Sequence, residues 1–502
     1  MVIMIAFMVL LLTTACSMYF AIKGRKMDMR EWAVGGRSFG TLLFWFLSAG
    51  EIFTTFAFLG ASGWAYQYGA PGFYILANVA LGYVLGYWLL PRIWSIGKKH
   101  DIYTQADFFR LRFESRWLAS AIAIIGILAM IPYTQLQFTG LSLIIQIIFH
   151  GAIDKTWAVI VSGLLVLIFV FTAGIRGTAF ASIVKDLLML AVLIGVTMTI
   201  ASATHLGSIS HIFELMNQKY STYASLPGLA PKKGQTVLWF MSTILMVNVG
   251  YWMWPHQFQM TCSAKSADAI RKNAVFQPLY ALSYFFVFVI GFAALLVLPK
   301  LKDSNAALLT LISNYYPGWF LGLLGAAGML IAIIPSSALL LTLGTIFSQS
   351  IYRNVIHPNA SDKKALMVGR LALIAGVILS VWLTIHSNKT IVQILLIAYS
   401  AVSQIGPGFI LALLWKRITA YGVLAGSVAG LVGITVPSVI HFEKSIAFTM
   451  NTGFIALLFN IAITVLVSLA TKSPSDAAIR VGVNEEEENI AFNYPEEQKI
   501  GV

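Results

Sequence analysis

The chain has 502 residues, of which 58% are hydrophobic and 11% charged, with a mean hydropathy of +0.81. Soluble domains carry about 25% charged residues, so most of this surface is built to face something other than water, and no soluble domain is predicted. The formal net charge of +13 reads as membrane topology plus attraction to anionic lipid, not as nucleic-acid binding.

In chain order, thirteen apolar segments are long enough to cross a bilayer as helices: about 2–22, 41–66, 72–96, 117–149, 156–173, 182–204, 235–255, 274–298, 318–351, 367–386, 390–415, 420–440 and 447–470. The prediction is an all-α integral membrane protein. The first segment has no basic start, and its basic cluster (Lys23, Arg25, Lys26) follows the apolar run, so it reads as a retained helix and not a cleaved signal. With the N-terminus outside, 25 of the 33 lysines and arginines fall on inner loops or the tail, Arg176 and Lys185 among them. That asymmetry follows the positive-inside rule. It predicts a multi-pass protein of the plasma (inner) membrane with a cytoplasmic C-terminus. The transmembrane unit is residues 1–471, and residues 472–502, with "NEEEEN" at 484–489, form an acidic tail expected to be disordered.

The two cysteines, Cys16 and Cys262, lie in the first segment and an inner loop, which gives no disulfide and no metal cluster. The sequence carries no Walker-A pattern for ATP-driven pumping and no acidic ring for a channel. Its histidines fall mostly at segment ends, so an embedded acid/base or zinc site is not predicted. Neither an enzyme nor an organic cofactor is expected, and no obligate protein partner is evident; the expected partners are a small solute and membrane lipid.

Two stretches break the apolar pattern. In "FWFLSAGEIFTTFAFLGASGWAY" (44–66), Glu51 sits among Gly50, Thr54, Thr55 and Gly60. A carboxylate at membrane depth costs on the order of 2.5–3.5 kcal/mol, and glycine costs about 1 kcal/mol in a helix interior. The pattern predicts a helix interrupted near 49–55, with freed carbonyls lining a buried site. The competing reading is a kinked helix with a neutral, hydrogen-bonded Glu51. In "LIAIIPSSALLLTLGTIFSQSIY" (330–352), Pro335 cannot satisfy the carbonyl of Ile331, and Ser336 and Ser337 follow. These hard oxygens suit a small cation such as sodium; a simple proline kink with serines bonded back to their own helix is the alternative.

Six segments in order carry a family resemblance: "EWAVGGRSFG" (31–40), "FLGASGWAYQYG" (58–69), "AGIRGTAFASIVKDLLM" (173–189), "WPHQFQMTCSAKSADAIRKN" (254–273), "SSALLLTLGTIFSQSIYR" (336–353) and "GPGFILALLWKRITAYGVLAGSVAG" (406–430). The chain resembles the sodium:solute symporter family, which includes bacterial proline and pantothenate permeases and sodium-coupled sugar transporters. The resemblance implies a leucine-transporter-like fold: two inverted five-helix repeats, about 41–204 and 235–415, with one extra N-terminal helix and two extra C-terminal helices. The first helix of each repeat would be broken, the second of them around Asn248 and Gly250.

Carried over position by position, the resemblance places sodium on backbone groups of Gly50 and Phe53, the hydroxyls of Ser336 and Ser337, and the carbonyl of Ile333. Pro335 departs from the pattern, and the carboxylate of proline permeases falls on Ile52, with Glu51 one residue away and turned by roughly 100°. An inner gate is expected from Arg37 and Asp186. Expected solute contacts are Glu51, Thr54, Tyr133, Gln137, Asn248, Trp252 and Gln404. The implied function is sodium-coupled import, by alternating access, of a small amino-acid-like or monocarboxylate solute. Alternatives left open are a proton-coupled carrier using Glu51 and a transporter-like membrane sensor.

Overall fold

The computed structural model describes residues 1–22, 29–229, 235–436, 438–441 and 449–482. Among these the architecture is helical, and the β pairing recorded is a single bridge between Phe39 and Ala264. The apolar helices are α1 (Val2–Ile22), α2 (Thr41–Ile52), α3 (Phe56–Tyr68), α4 (Tyr74–Lys99), α5 (Arg116–Ile148), α6 (Lys155–Phe171), α7 (Gly174–Ala203), α8 (Val237–Tyr251), α9 (Pro255–Thr261), α10 (Ala267–Val297), α11 (Gly318–Ile346), α12 (Asp362–His386), α13 (Ile391–Leu414), α14 (Ala420–Thr435) and α15 (Thr452–Ala470). Nine of the described helices are long and apolar enough to cross a membrane, or eleven when each of two bent pairs counts as one span; α6 and α14 are shorter apolar helices. The chain is a multi-pass membrane protein. The acidic "NEEEEN" and residues 483–502 lie outside the described residues, as does the cluster Lys23, Arg25 and Lys26. Residues 472–482 include a short helix, Asp476–Arg480, whose Ala478 is buried and whose Ser475 donates to Glu114 at 3.0 Å.

The two bent pairs position the site. Helices α2 and α3 meet at 53°, and α8 and α9 at 48°. The first break falls where the Gly-Glu and Thr-Thr pairs predict it. Phe53 leaves helical geometry (φ −86°, ψ 86°), and Thr54 caps the restart by accepting from the Phe56 N–H at 3.2 Å. The second break comes later than Asn248 and Gly250. Helix α8 runs through both, because Asn248 donates back to Ile244 O at 2.9 Å within its own helix. The chain turns only at Trp252–Trp254, ahead of Pro255, which opens α9 where a missing N–H costs nothing. A third interruption lies between α6 and α7, where Gly174 takes φ +56° and ψ −171°, a conformation glycine reaches without a Cβ penalty.

Helix α11 is the buried axis of the molecule. It packs on α5, α7 and α1, and every side chain from Leu324 to Ser337 is buried. Pro335 does not break it. The Ser336 and Ser337 hydroxyls donate to Ala332 O and Ile333 O at 2.6 and 2.7 Å, which reties the helix around the proline.

Candidate functional site

The two breaks meet at a buried polar cavity of about 60 Å³. From the first break come Glu51, Ile52, Thr54 and Phe56; from the second come Tyr251, Trp254, His256 and Gln257. Helices α4, α5, α10 and α13 close it with Tyr74 and Asn78, Tyr133, Tyr284 and Tyr399 respectively. The Glu51 carboxylate and the His256 imidazole, each 2% exposed, approach to 3.3 Å between Oε2 and Nε2. Among the described residues neither carboxylate oxygen and neither ring nitrogen finds an aligned hydrogen-bond partner, nor does Gln257 Oε1. Buried polar atoms are bonded in roughly 90% or more of cases, so this concentration of unsatisfied groups marks a place built to engage a polar ligand.

The break is pinned from outside. Gln137, fully buried on α5, accepts from the Thr55 N–H at 3.2 Å and from the Thr55 hydroxyl at 2.6 Å. Tyr284 donates to the freed carbonyl of Ile52 at 3.4 Å. Gln137 therefore sets the shape of the cavity wall and is absent from its lining, whereas Glu51, Thr54 and Tyr133 line it as expected from sequence.

The carbonyls of Gly50 and Phe53, expected to face sodium, are both engaged. Lys185 on α7, fully buried, donates to Gly50 O at 2.9 Å and to Phe53 O at 3.0 Å, and its Nζ lies 3.0 Å from Asp186 Oδ1. Gly50 is required here: a Cβ at this position would meet Ser182 Oγ at 2.6 Å. Of the remaining expected ligands, Ser337 already donates to Ile333 O, and Ser336 to Ala332 O. The expected cation seat thus holds a lysine ammonium. Lys185, counted from sequence with the inner basic residues at the start of segment 182–204, sits well inside α7, which begins at Gly174, and is fully buried.

Other expected contacts lie elsewhere. Asn248 caps back onto its helix and reaches Asn78 at 3.5 Å. The Trp252 indole donates to Gly82 O at 2.6 Å, locking α8 against α4. Gln404 is tied to Ser400, Gly453 and Asn460, at the junction of α13 with α15. None of the three lines the cavity. Arg37 and Asp186 do not pair. Arg37 donates to Gly97 O and Ile102 O, both at 2.8 Å, and to Cys262 O at 3.4 Å, with Asp101 at 3.6 Å. Arg176 makes the buried pair nearby, at 2.7 Å from Glu31. A guanidinium offers five donors in a fixed fork, and the terminal nitrogens of Arg37 go to backbone carbonyls that sequence order does not reveal.

Sequence reasoning missed His256, Gln257, Trp254, Tyr251, Tyr284 and Tyr399. "WPHQFQ" (254–259) did stand out as a motif, and Pro255 within it was the available signal for a break.

An all-helical membrane bundle, in which two broken helices enclose a buried polar cavity, has the architecture of a secondary solute transporter. The chain belongs to the sodium:solute symporter family, whose model matches residues 32–430. It is 37% identical over 471 residues to the uncharacterized symporter YhjB of Bacillus subtilis (strain 168), covering 91% of this chain and 95% of that protein. It is 26% identical to a monocarboxylate transport permease protein of Rhizobium johnstonii, over 88% of this chain and 91% of that one. In fold it is similar to a Na+-coupled sialic acid symporter solved in a substrate-bound outward-open state, with a TM-score of 0.77 at 17% identity, covering 94% and 98% of the two chains. The protein is therefore a transporter of a small solute, and its family supports sodium as the usual coupling ion.

Proposed function

We propose that this protein imports a small monocarboxylate by alternating access, drawing on a cation gradient. One observation carries the reading: the cavity between the two breaks measures about 60 Å³ and is walled by the phenol-bearing side chains of Tyr133, Tyr251, Tyr284 and Tyr399 with Gln257. That space is several times the roughly 10–15 Å³ that one water needs on the same measure, room for a small polar solute. Phenol and amide groups donate to a carboxylate, and the Glu51 carboxylate and His256 imidazole, 3.3 Å apart, add further polar atoms at the same wall. A relative named as a monocarboxylate permease agrees with this cargo.

The reading places thirteen spans in the plasma (inner) membrane, with the N-terminus outside and the C-terminus cytoplasmic. It adds α6, α14 and the two bent pairs to the nine long helices. The breaks open the first helix of each inverted repeat. One charge moved through about 100 mV is worth about 2.3 kcal/mol, and a tenfold gradient about 1.4 kcal/mol. A neutral solute carried with one cation uses both, for accumulation of roughly several hundredfold. A monoanion carried with one cation moves without net charge and draws on the chemical gradient alone.

The test is uptake of labelled acetate, lactate, pyruvate, proline and pantothenate into proteoliposomes, with Tyr133→Phe beside the wild type. Saturable uptake of a monocarboxylate, weakened in the variant, is expected. Saturable proline or pantothenate uptake that no monocarboxylate inhibits would overturn the cargo.

A further inference from the structure

Lys185 is the unusual residue of this site. Its side chain is fully buried, and neither the cavity nor the gate expected from sequence uses it. A buried ammonium costs several kcal/mol unless its charge is matched and its donors are satisfied. Here it donates to Gly50 O and Phe53 O at 2.9 and 3.0 Å, and the Asp186 carboxylate stands 3.0 Å away as its counter-charge. The two carbonyls are those released by the break in α2–α3, and the helix packed beside them, α11, carries Ser336 and Ser337. A sodium ion coordinated by the same carbonyls would stand within contact distance of Nζ, with like charges side by side. The two cations exclude each other.

We propose that the proton carried by Lys185 takes the place of sodium at this seat, and that solute import by this chain is coupled to protons. The inference rests on the transporter reading above but not on the identity of the cargo. An ammonium differs from a metal ion in that it can give up a proton in place and remain as a neutral amine. While Gly50 O, Phe53 O and Asp186 surround it, the charge is matched, and α2 is tied to α7. When the broken helix moves and withdraws its two carbonyls, Lys185 releases one H+ to water on the inner side and remains as a neutral amine. Reprotonation from the outer side restores the three contacts, and one H+ enters per cycle.

The ionisable groups facing Lys185 come from several elements. Asp186 lies on its own helix, with the Tyr280 phenol of α10 turned toward it. Glu51 of α2 acts on the same carboxylate and stands 3.3 Å from His256 of α9. Tyr284 of α10 bonds the neighbouring Ile52 carbonyl. Of the other helices packed nearby, α1 carries Cys16 and Tyr19, both exposed and so turned away from the buried Lys185, and α12 carries Arg370, which sits beside Phe171. Helix α11 has no ionisable side chain between Gly318 and Ile346.

Two measurements decide the matter. Binding of ²²Na+ to the purified wild type needs no solute, so a wrong cargo leaves it readable; no saturable binding is expected, and saturable binding that Ser337→Ala removes would overturn the proposal. In proteoliposomes free of sodium, an inward tenfold proton gradient supports roughly tenfold accumulation per proton coupled. Lys185→Met is expected to lose that accumulation entirely while still exchanging solute across the membrane. Lys185→Arg, which keeps the charge but does not discharge, serves if the methionine variant fails to fold and is likewise expected to lose proton-driven uptake. Uptake that requires sodium, or proton-driven accumulation retained in both lysine variants, would overturn the proposal.

Discussion

Glu51 and His256 stand 3.3 Å apart, one at the end of the first half of a broken helix and the other in the opening turn of a second. They are the point at which the two breaks of the fold touch. Because each side chain is almost fully enclosed, removing one takes away the other's polar neighbour at 3.3 Å and leaves space beside it, a change of about 1–3 kcal/mol for a buried polar group. Glu51→Ala and His256→Ala are therefore each expected to lower thermal stability and to abolish solute binding. The double variant should be less damaging than the sum of the two. A thermal-unfolding double-mutant cycle measures this, and full additivity would show that the pair is not coupled.

Gln137 holds the break open by receiving both the amide and the hydroxyl of Thr55. Replacing it with leucine strands the buried Thr55 amide and leaves the hydroxyl only the longer contact to Leu136 O at 3.4 Å, at about 1–3 kcal/mol for the unsatisfied group. The expected result is a clear loss of melting temperature in detergent together with weaker solute affinity. Thr55→Val should rescue part of the stability by removing the hydroxyl donor. If Gln137→Leu melts like the wild type, the pin is not needed.

Close approach of α2 and α7 depends on Gly50. Alanine there would bring its Cβ to 2.6 Å from Ser182 Oγ, and overpacking of this kind costs about 1–3 kcal/mol. The single variant Gly50→Ala should lose stability and transport together. Adding Ser182→Gly should restore both, which comparison of melting curves and uptake rates will read directly.

Arg37 seals the loops that flank Cys262. Burial pushes the Cys262 thiol up to about 11, against the opposing pull of the Arg37 guanidinium, so the thiolate is scarce at neutral pH and maleimide labelling of the closed form should be slow. In a Cys16→Ser background, Arg37→Ala releases three backbone carbonyls. Labelling of Cys262 should then speed up by about tenfold, as exposure returns the thiol toward its ordinary range, and transport should weaken. The rate should rise with pH in both proteins, but at a lower pH in the variant. Unchanged labelling and transport would remove Arg37 from the inner seal.

The membrane class, the family and the interruption near Glu51 were legible in sequence because each depends on local composition: runs of about 20 apolar residues, basic loops, and glycine and threonine beside a lone carboxylate. The second break was placed too early, at Asn248 and Gly250. An asparagine can bond back to its own helix, and it does so, whereas Pro255 cannot donate at all. The pairing of Arg37 with Asp186 failed for a similar reason, since carbonyls carry no sequence signature and Arg37 found three of them.

Sequence by itself determined that this chain crosses a membrane many times, that its first long helix after α1 is broken close to Glu51, and that it belongs among solute symporters. Those properties are sums over neighbours along the chain. Only the tertiary structure decided that His256 faces Glu51, that Gln137 supports the wall while Tyr251, Tyr284 and Tyr399 line it, and that Lys185 fills the seat between Gly50 and Phe53. A lysine in an apolar helix can run its stem out to the interface or turn inward. Which it does depends on whether a matching set of oxygens waits inside, and here two of those oxygens belong to a helix more than a hundred residues earlier.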